Sequence, residues 1–269
     1  MRTIVHISDI HFGRIAYPTV QPLIDAVRGV HPDVVVVSGD LTQRASERQF
    51  AEARDFLAQL PSPQIIVPGN HDVPLFNVVG RFFRPLANFR RYISSEAEPF
   101  YSDNEIAVLG LNTARSLTFK NGRINHEQIS RVRQRFCSID SKVIKVLVTH
   151  HPLDLPRQWR KATVVGRADM AMKVMASCGA DLLLAGHYHV SHTGGTASRY
   201  PIQGYSALVV HAGTATSTRG RGELNTFNVL RIERPFVTIE RYYWRVEQGI
   251  FQVFREERYQ QAGEGWLLS

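Results

Sequence analysis

Clusters of aspartate, asparagine and histidine recur along the chain, and each directly follows a short run of apolar residues. The clusters are Asp9-Ile10-His11, Gly39-Asp40, Gly69-Asn70-His71-Asp72, His150-His151 and Gly186-His187-Tyr188-His189. Carboxylate, amide and imidazole groups together suit Mn, Fe or Zn, and the absence of a nearby cysteine argues against a structural zinc site. The residue types therefore predict a catalytic metal centre rather than a structural one.

The spacing within two clusters favours one shared site. On an extended chain Asp9 and His11 point to the same face, and so do His187 and His189. Each cluster alone has an ordinary explanation, such as a helix cap at Asp9 or a turn at Gly69-Asn70. All the clusters occur together, however, each directly after an apolar run. This conjunction favours one metal site over a set of unrelated turns.

The apolar runs before the clusters have the length and composition of buried strands. Strands are predicted at 4–8, 34–38, 65–68, 143–149 and 182–185, with a further strand at 106–111. Helical spacing between them predicts helices at 17–30, 46–60, 125–136 and 167–177. Because strands and helices alternate, the sequence predicts an α/β protein whose site lies where the strands end.

The domain organisation follows from length and from a change of pattern near the C-terminus. A chain of 269 residues, 43% of them hydrophobic, can bury a core of its own, and a single domain over 1–269 is expected. Residues 73–104 are the best candidate for a helical insertion. From residue 196 onward, mostly antiparallel strands are expected at 207–212, 227–233, 237–245 and 250–255.

Composition bounds the compartment and the partners. No apolar run reaches the ~20 residues of a membrane-spanning helix, and the first residues resemble a strand rather than an export signal. Cys137 and Cys178 have no CxxC spacing, which favours a reducing compartment, the cytoplasm, over a disulfide framework. Lys and Arg outnumber Asp and Glu by 32 to 24, which favours an anionic substrate. Nucleic acid is not favoured, because net charge alone does not place the charges on one face.

The order of the clusters resembles the calcineurin-like metallophosphoesterases. Their pattern D-x-H, G-D, G-N-H-D, H-H-P and G-H-x-H is intact between residues 4 and 189. The segments His6–His11 and Ser38–Thr42 are similar to the bacterial class III cyclic nucleotide phosphodiesterase branch. The resemblance implies a four-layer α/β/β/α sandwich, in which two mixed sheets pack face to face with helices outside.

The resemblance also implies a ligand set for two divalent metal ions. One ion is expected on Asp9, His11 and His189, and the other on Asn70, His150 and His187. Asp40 is expected to bridge them. Adjacent strand residues point to opposite sides, so only one of the two histidines at 150 and 151 is expected to be a direct ligand. His150 is the first choice, and His151 stays open.

His71 is the expected catalytic side chain. It follows the ligand Asn70 but lies outside the ligand set, and the matching histidine of the family protonates the leaving oxygen or stabilises the phosphate charge. We expect the same of His71, although a turn residue whose ring packs on Asp72 would fit the same position. Asp72 is expected to orient a neighbour.

The resemblance implies an enzyme that hydrolyses an anionic phosphodiester by attack of a hydroxide held between the two metal ions. A small nucleotide, such as 3′,5′-cAMP, is the expected substrate. A nuclease would use the same ions with a basic groove. A catalytically silent binding module would be expected to lose ligands, and none of the clusters is broken.

The segment 76–92 favours a second kind of substrate. Its apolar and aromatic residues recur at helical spacing among Arg81, Arg84, Arg90 and Arg91. Such a segment suits a lipid-linked or nucleotide-sugar-lipid pyrophosphate and peripheral membrane contact. A helix packing its apolar side on the core explains the same pattern, and Pro85 argues against one regular helix. The tail 249–269 fits an edge strand, a homodimer contact or a lid.

Overall fold

A computed structural model of the protein describes residues 1–75, 77–118, 120–156, 158–159, 162–220 and 222–269. Strands and helices are numbered in chain order. One sheet contains β1 (Arg2–Ile7), β2 (Val34–Val37), β3 (Gln64–Ile66), β10 (Thr226–Glu233), β11 (Phe236–Arg245), β12 (Ile250–Ala262) and β13 (Gly265–Leu268). Its strand order is β13-β12-β11-β10-β1-β2-β3. β1, β2 and β3 are parallel, whereas β10 to β13 are antiparallel, so the sheet is mixed.

The second sheet is also mixed. It contains β4 (Phe100–Ser102), β5 (Ile106–Leu111), β6 (Ile144–Thr149), β7 (Leu182–Ala185), β8 (His192–Gly195) and β9 (Leu208–His211), in the order β4-β5-β6-β7-β9-β8. The four central strands are parallel, and the edge strands β4 and β8 are antiparallel to their neighbours. Every side chain of β5, β6 and β7 is buried, as expected of parallel strands covered on both faces.

Helices cover the outer faces of both sheets. They are α1 (Val20–Val30), α2 (Glu47–Leu57), α4 (Ala87–Tyr92), α5 (His126–Phe136) and α6 (Ala168–Cys178). A further short helix, α3 (Val78–Phe83), has Arg81 as its buried residue. The Ser46 hydroxyl accepts from the Gln49 amide and caps α2, and Asn125 does the same for Gln128 at α5. Gly179 follows α6 and caps its C-terminal end, with a φ of +65° that favours glycine.

The core consists of three apolar layers. Ile4 of β1 and Val146 of β6 meet in the layer between the sheets. Val5, the next residue of β1, faces the opposite side with Phe50 of α2, because successive strand side chains alternate. Phe136 of α5 packs on the outer face of the second sheet. The predicted four-layer α/β/β/α sandwich is confirmed.

The predicted strands and helices appear close to their expected places, with a few differences. β4, β8 and β13 were not predicted, and β12 extends to Ala262 rather than residue 255. β9 is parallel to β7, an exception among the antiparallel strands expected after residue 196. The tail 249–269 forms strands at the edge of the seven-stranded sheet. The single-domain assignment stays a prediction.

The segment 73–104 contains two short helices rather than one long one. α3 ends at Phe83 and α4 begins at Ala87, so the chain breaks around Pro85 as its ring geometry requires. Phe89 of α4 is buried in the core, whereas Phe83 is 83% exposed. Packing on the core therefore explains the apolar spacing in α4 but not that in α3. Phe76 lies outside the described residues.

The expectation that the two cysteines are unpaired was wrong. Cys137 directly follows α5 and Cys178 ends α6, and their sulfur atoms form a disulfide. α5 and α6 pack side by side, so their last residues meet although they are 41 positions apart. The cytoplasmic location, which rested partly on unpaired cysteines, stays a prediction. None of the helices in the described residues has the length and apolarity needed to cross a bilayer.

Candidate metal centre

The predicted ligands come together at one rim, where parallel strands of both sheets end. They lie after β1 (Asp9 and His11), β2 (Asp40), β3 (Asn70), β6 (His150) and β7 (His187 and His189). A hydrogen bond joins the two sheets here, since His150 Nδ1 lies 2.8 Å from the Ser38 carbonyl. Strand ends of α/β sheets are where ligand sites form. The structure thus brings all of the predicted ligands to one place.

The local conformation differs from the extended one used to interpret the D-x-H and H-x-H spacings. Asp9 (φ 52°), His11 (φ 56°) and Asp40 (φ 53°) are left-handed, as are His187 (φ 76°) and His189 (φ 58°). Left-handed non-glycine residues cost free energy and concentrate at functional sites. These side chains therefore reach the centre through tight turns after the strands, and the extended-chain reasoning was wrong.

The first ligand group consists of Asp9, His11 and His189, with Asp40 beside them. The Nε2 atoms of His11 and His189 lie 3.2 Å apart. Asp9 Oδ1 lies 3.1 Å from His189 Nε2 and 3.7 Å from His11 Nε2. Asp9 Oδ1 is nonetheless buried without a hydrogen bond. A cation would satisfy this oxygen and both imidazole nitrogens, so the donor set fits a metal ion.

The second group consists of Asn70, His150 and His187. Asn70 Oδ1 lies 3.1 Å from both His150 Nε2 and His187 Nδ1, and these two nitrogens are 3.3 Å apart. Burial lowers the pKa of His187 to about 3, so its imidazole is neutral and able to bind a metal. An amide oxygen and two imidazoles suit the same borderline metals as the first group.

Distance alone does not distinguish His150 from His151 as the ligand. A ring nitrogen of each lies within 4.8 Å of a ring nitrogen of His187. Their hydrogen bonds differ. His151 Nδ1 lies 2.8 Å from the Thr113 hydroxyl, and its Nε2 lies 3.0 Å from the Lys120 carbonyl. Both nitrogens of His151 are thus engaged, whereas His150 binds Ser38 through Nδ1 and points Nε2 into the centre. The geometry favours His150.

Asp40 lies between the two groups. Its Oδ2 is 3.6 Å from His11 Nε2 and 3.4 Å from His150 Nε2, while Oδ1 accepts from the His71 amide at 2.8 Å. Burial would raise the pKa of Asp40, but the charge of His150 holds it below its usual range. In turn, Asp40 overcomes the effect of burial and raises the pKa of His150 to about 9. A buried carboxylate is therefore available to both groups.

Neighbouring groups hold the ligands in place. The His189 Nδ1 atom lies 3.1 Å from the Arg219 carbonyl, which leaves its Nε2 for the centre. Asp72 accepts from three backbone amides, those of Leu41, Thr42 and Gly69. As expected, Asp72 orients its neighbours, and it ties the loop after β2 to the loop after β3. A Cβ atom on Gly69 would overlap Asp40 Oδ1, so only glycine fits there.

His71 lies on the rim next to Arg219, a residue that sequence reasoning missed. His71 Nδ1 is 3.0 Å from the Gln43 carbonyl, so it donates there and leaves Nε2 as an acceptor. Arg219 Nη1 donates to this Nε2 at 2.9 Å and to Gln43 Oε1 at 3.3 Å. Arg219 lies in a Thr- and Gly-rich stretch far from any cluster, and no sequence signal marks it.

A cleft of about 200 Å³ opens over the centre. Its lining includes Asp40, Gln43, Arg44, Asn70, His71, Val73, Leu75, Lys120, His187, His189 and Arg219. The lining includes the cations Arg44, Lys120 and Arg219, which suits a phosphate. Two polar side chains in the loop after β5 have partners within the protein: Thr113 binds His151, and Arg115 binds Gln128.

Comparison with known proteins identifies the family. A family model described as calcineurin-like phosphoesterase matches residues 2–191. The chain belongs to the calcineurin-like phosphoesterases. The resemblance found in the order of the metal-binding clusters is confirmed, and the matched range contains all of the predicted ligands.

Individual relatives are more distant. A probable cyclic nucleotide phosphodiesterase of Synechococcus sp. is 26% identical over 161 residues, which cover 56% of this chain and 58% of that protein. A purple acid phosphatase from yellow lupin has a TM-score of 0.68 at 14% identity over 96% of this chain and 53% of that chain. A dimetal phosphatase from Danio rerio has a TM-score of 0.67 at 14% identity. The match covers 97% of this chain and 99% of that chain. At these identities the two structures show the shared fold alone.

Proposed function

We propose that this calcineurin-like phosphoesterase hydrolyses phosphodiesters, with cyclic nucleotides as its substrates, and that two divalent metal ions bind at the rim. One observation carries the proposal: the two ligand groups share the buried Asp40 carboxylate at the floor of a basic cleft. The division of ligands between the ions is that of the two groups, with Asp40 common to both. Mn and Fe are the first metals to test, because imidazole with carboxylate and amide oxygen suits them.

When bound, the two ions would lower the pKa of a water molecule and offset the charge of the phosphate. The chain supplies the rest. Ser38 and Arg219 carbonyls hold His150 and His189 in the tautomers that bind metal. At the rim, Arg219 and Lys120 attract the anionic phosphate, and His71 Nε2 faces the same cleft.

A phosphate entering the cleft would compete with His71 for the Arg219 guanidinium. Arginine binds phosphate through charge-assisted hydrogen bonds that are stronger than its bond to a neutral imidazole. Once Arg219 binds the phosphate, His71 Nε2 is free to approach the leaving oxygen. We therefore propose that Arg219 positions the phosphate and that His71 takes up a proton at the freed Nε2 and donates it to the leaving oxygen.

The choice of a diester rests on the G-N-H-D cluster and on the similarity to the Synechococcus protein, which is described as a probable cyclic nucleotide phosphodiesterase. That relative matches over 58% of its own length. The rim of this chain adds a small cleft, which suits a small nucleotide better than a long polymer. A catalytically silent module is disfavoured, because both ligand groups are complete.

A substrate panel tests the proposed class. The Mn-loaded protein should hydrolyse 3′,5′-cyclic nucleotides with higher kcat/KM than the matching nucleoside monophosphates. The panel should also contain 2′,3′-cyclic nucleotides, glycerophosphodiesters, single-stranded DNA and a nucleotide-linked lipid pyrophosphate. The proposal fails if a monoester exceeds every diester. If DNA is the best substrate and its hydrolysis falls steeply with salt, the protein is a nuclease.

A further inference from the structure

Helix α3 has its charged side inward and its apolar side outward. Arg81 is only 2% exposed, whereas Val78, Val79 and Phe83 are 62%, 70% and 83% exposed. A surface helix of a globular protein normally has the reverse arrangement. Exposed apolar residues that cluster on one short element mark a contact surface more often than an accident of composition.

Arg81 fixes this orientation. Its guanidinium donates to the carbonyl of Pro74 at 2.9 Å, to that of Ser116 at 2.7 Å and to that of Thr118 at 3.2 Å. These bonds fasten α3 to the loop 115–118, whose Leu117 is 81% exposed. The exposed apolar residues therefore belong to a helix and a loop that the Arg81 hydrogen bonds hold together. We call them the α3 patch: Leu75, Val78, Val79, Phe82, Phe83 and Leu117.

The α3 patch borders the metal centre. Leu75 lines the cleft together with His71 and Asn70. On its other side, an apolar cavity of about 490 Å³ is lined by Phe83 and Leu86, with the cations Arg84 and Arg90. Both arginines are exposed. Apolar side chains flanked by exposed cations are the combination that binds an anionic bilayer.

A lipid surface fits the α3 patch better than a protein does. Specific protein interfaces contain ~20–30 residues on each side, whereas this patch comes from one short helix and one loop. Insertion into a bilayer needs only a few apolar side chains when cations next to them bind the headgroups. The excess of positive charge on the chain acts in the same direction.

We propose that the α3 patch docks the protein on an anionic membrane surface. Val78, Val79, Phe82 and Phe83 enter the headgroup region, and Arg84 and Arg90 contact the lipid phosphates. Docking holds the metal cleft next to the bilayer. The docking does not depend on which diester the metal centre hydrolyses.

Sedimentation with lipid vesicles tests the docking. The wild-type protein should sediment with vesicles of phosphatidylcholine and phosphatidylglycerol and much less with phosphatidylcholine alone. The double variant Val79→Ser/Phe83→Ser should weaken binding at least about tenfold, because two apolar side chains no longer insert. A matched control is Val246→Ser/Phe254→Ser, which removes residues 71% and 67% exposed elsewhere on the surface. This control should bind like the wild type.

A second variant, Arg84→Gln/Arg90→Gln, tests the charges without changing the apolar residues. It should lose binding to the anionic vesicles, and added salt should weaken the wild type in the same way. The proposal is overturned if the wild type does not sediment with anionic vesicles, or if the control loses as much binding as Val79→Ser/Phe83→Ser. It is also overturned if Val79→Ser/Phe83→Ser converts a dimer into monomers without weakening vesicle binding. In that case a second copy of the protein would cover the patch. Hydrolysis of a water-soluble diester, measured in parallel, should be the same in all variants, so a failure of docking is separate from a failure of the proposed reaction.

Discussion

Replacement of Asp40 by alanine is expected to remove both metal ions and almost all hydrolysis. Its carboxylate faces His11 on one side and His150 on the other, so neither ligand group is complete without it. The loss of kcat/KM should exceed the ~10–100-fold that follows removal of a residue that only supports a ligand. Asp9→Ala should be less severe, because Asp9 belongs to one group. Metal analysis of each purified variant beside its kinetics decides this.

The control for Asp40→Ala is Asp181→Asn, which removes another buried carboxylate. Asp181 accepts from the Lys145 amide at the opposite end of the second sheet from the metal centre. This variant should keep both ions and its activity, which separates loss of metal from a general effect of changing a buried carboxylate. Two tightly bound ions in Asp40→Ala would contradict the bridging role.

Removal of His71 has the second large expected effect, and its size should depend on the leaving group. General acid catalysis contributes ~10²–10⁴-fold, so His71→Ala should lose that much on a ribose leaving group. A nitrophenolate departs without a proton, and the loss on bis(nitrophenyl) phosphate should be much smaller. Burial lowers the pKa of His71 below its usual 6.5. Because the acid must be protonated, the ribose reaction should slow as the pH rises through that pKa.

Arg219→Gln separates the role of the guanidinium from that of the imidazole. It should raise KM for both substrates equally, since Arg219 is proposed to bind the phosphate rather than to protonate the leaving oxygen. Thr218→Ala is its control, because the neighbouring Thr218 hydroxyl is exposed and donates to the Arg14 carbonyl. If His71→Ala also affects both substrates equally while both ions stay bound, His71 positions the phosphate with Arg219. If metal is lost from His71→Ala, the proton-donor role must be abandoned.

The sequence predicts that the candidate ligand residues meet at one rim, and the structure brings them together there. Each lies directly after an apolar strand, and a strand end determines where a side chain emerges. The left-handed conformations of Asp9 and His187 could not be predicted from their residue types, because non-glycine residues seldom adopt them. The choice of His150 over His151 needed the partners of both imidazoles, Thr113 among them.

The features that the sequence missed depend on contacts between distant segments. Arg219 meets His71 across 148 positions, and nothing near Arg219 in the sequence indicates that meeting. The pairing of Cys137 with Cys178 depends on two helices lying side by side. The apolar pattern of 76–92 predicts amphipathic helices, but it does not predict which side of each helix faces the solvent. Burial of the Arg81 guanidinium among backbone carbonyls turns α3 outward.

The position of metal ions in the loaded wild-type protein tests the central claim most directly. Anomalous diffraction from Mn-loaded crystals should show two ions ~3.5–4 Å apart, the spacing of two-metal phosphoesterase sites. One ion should contact Asp9, His11 and His189, the other Asn70, His150 and His187, and Asp40 should contact both. A single ion, or two ions without Asp40 between them, would contradict the claim.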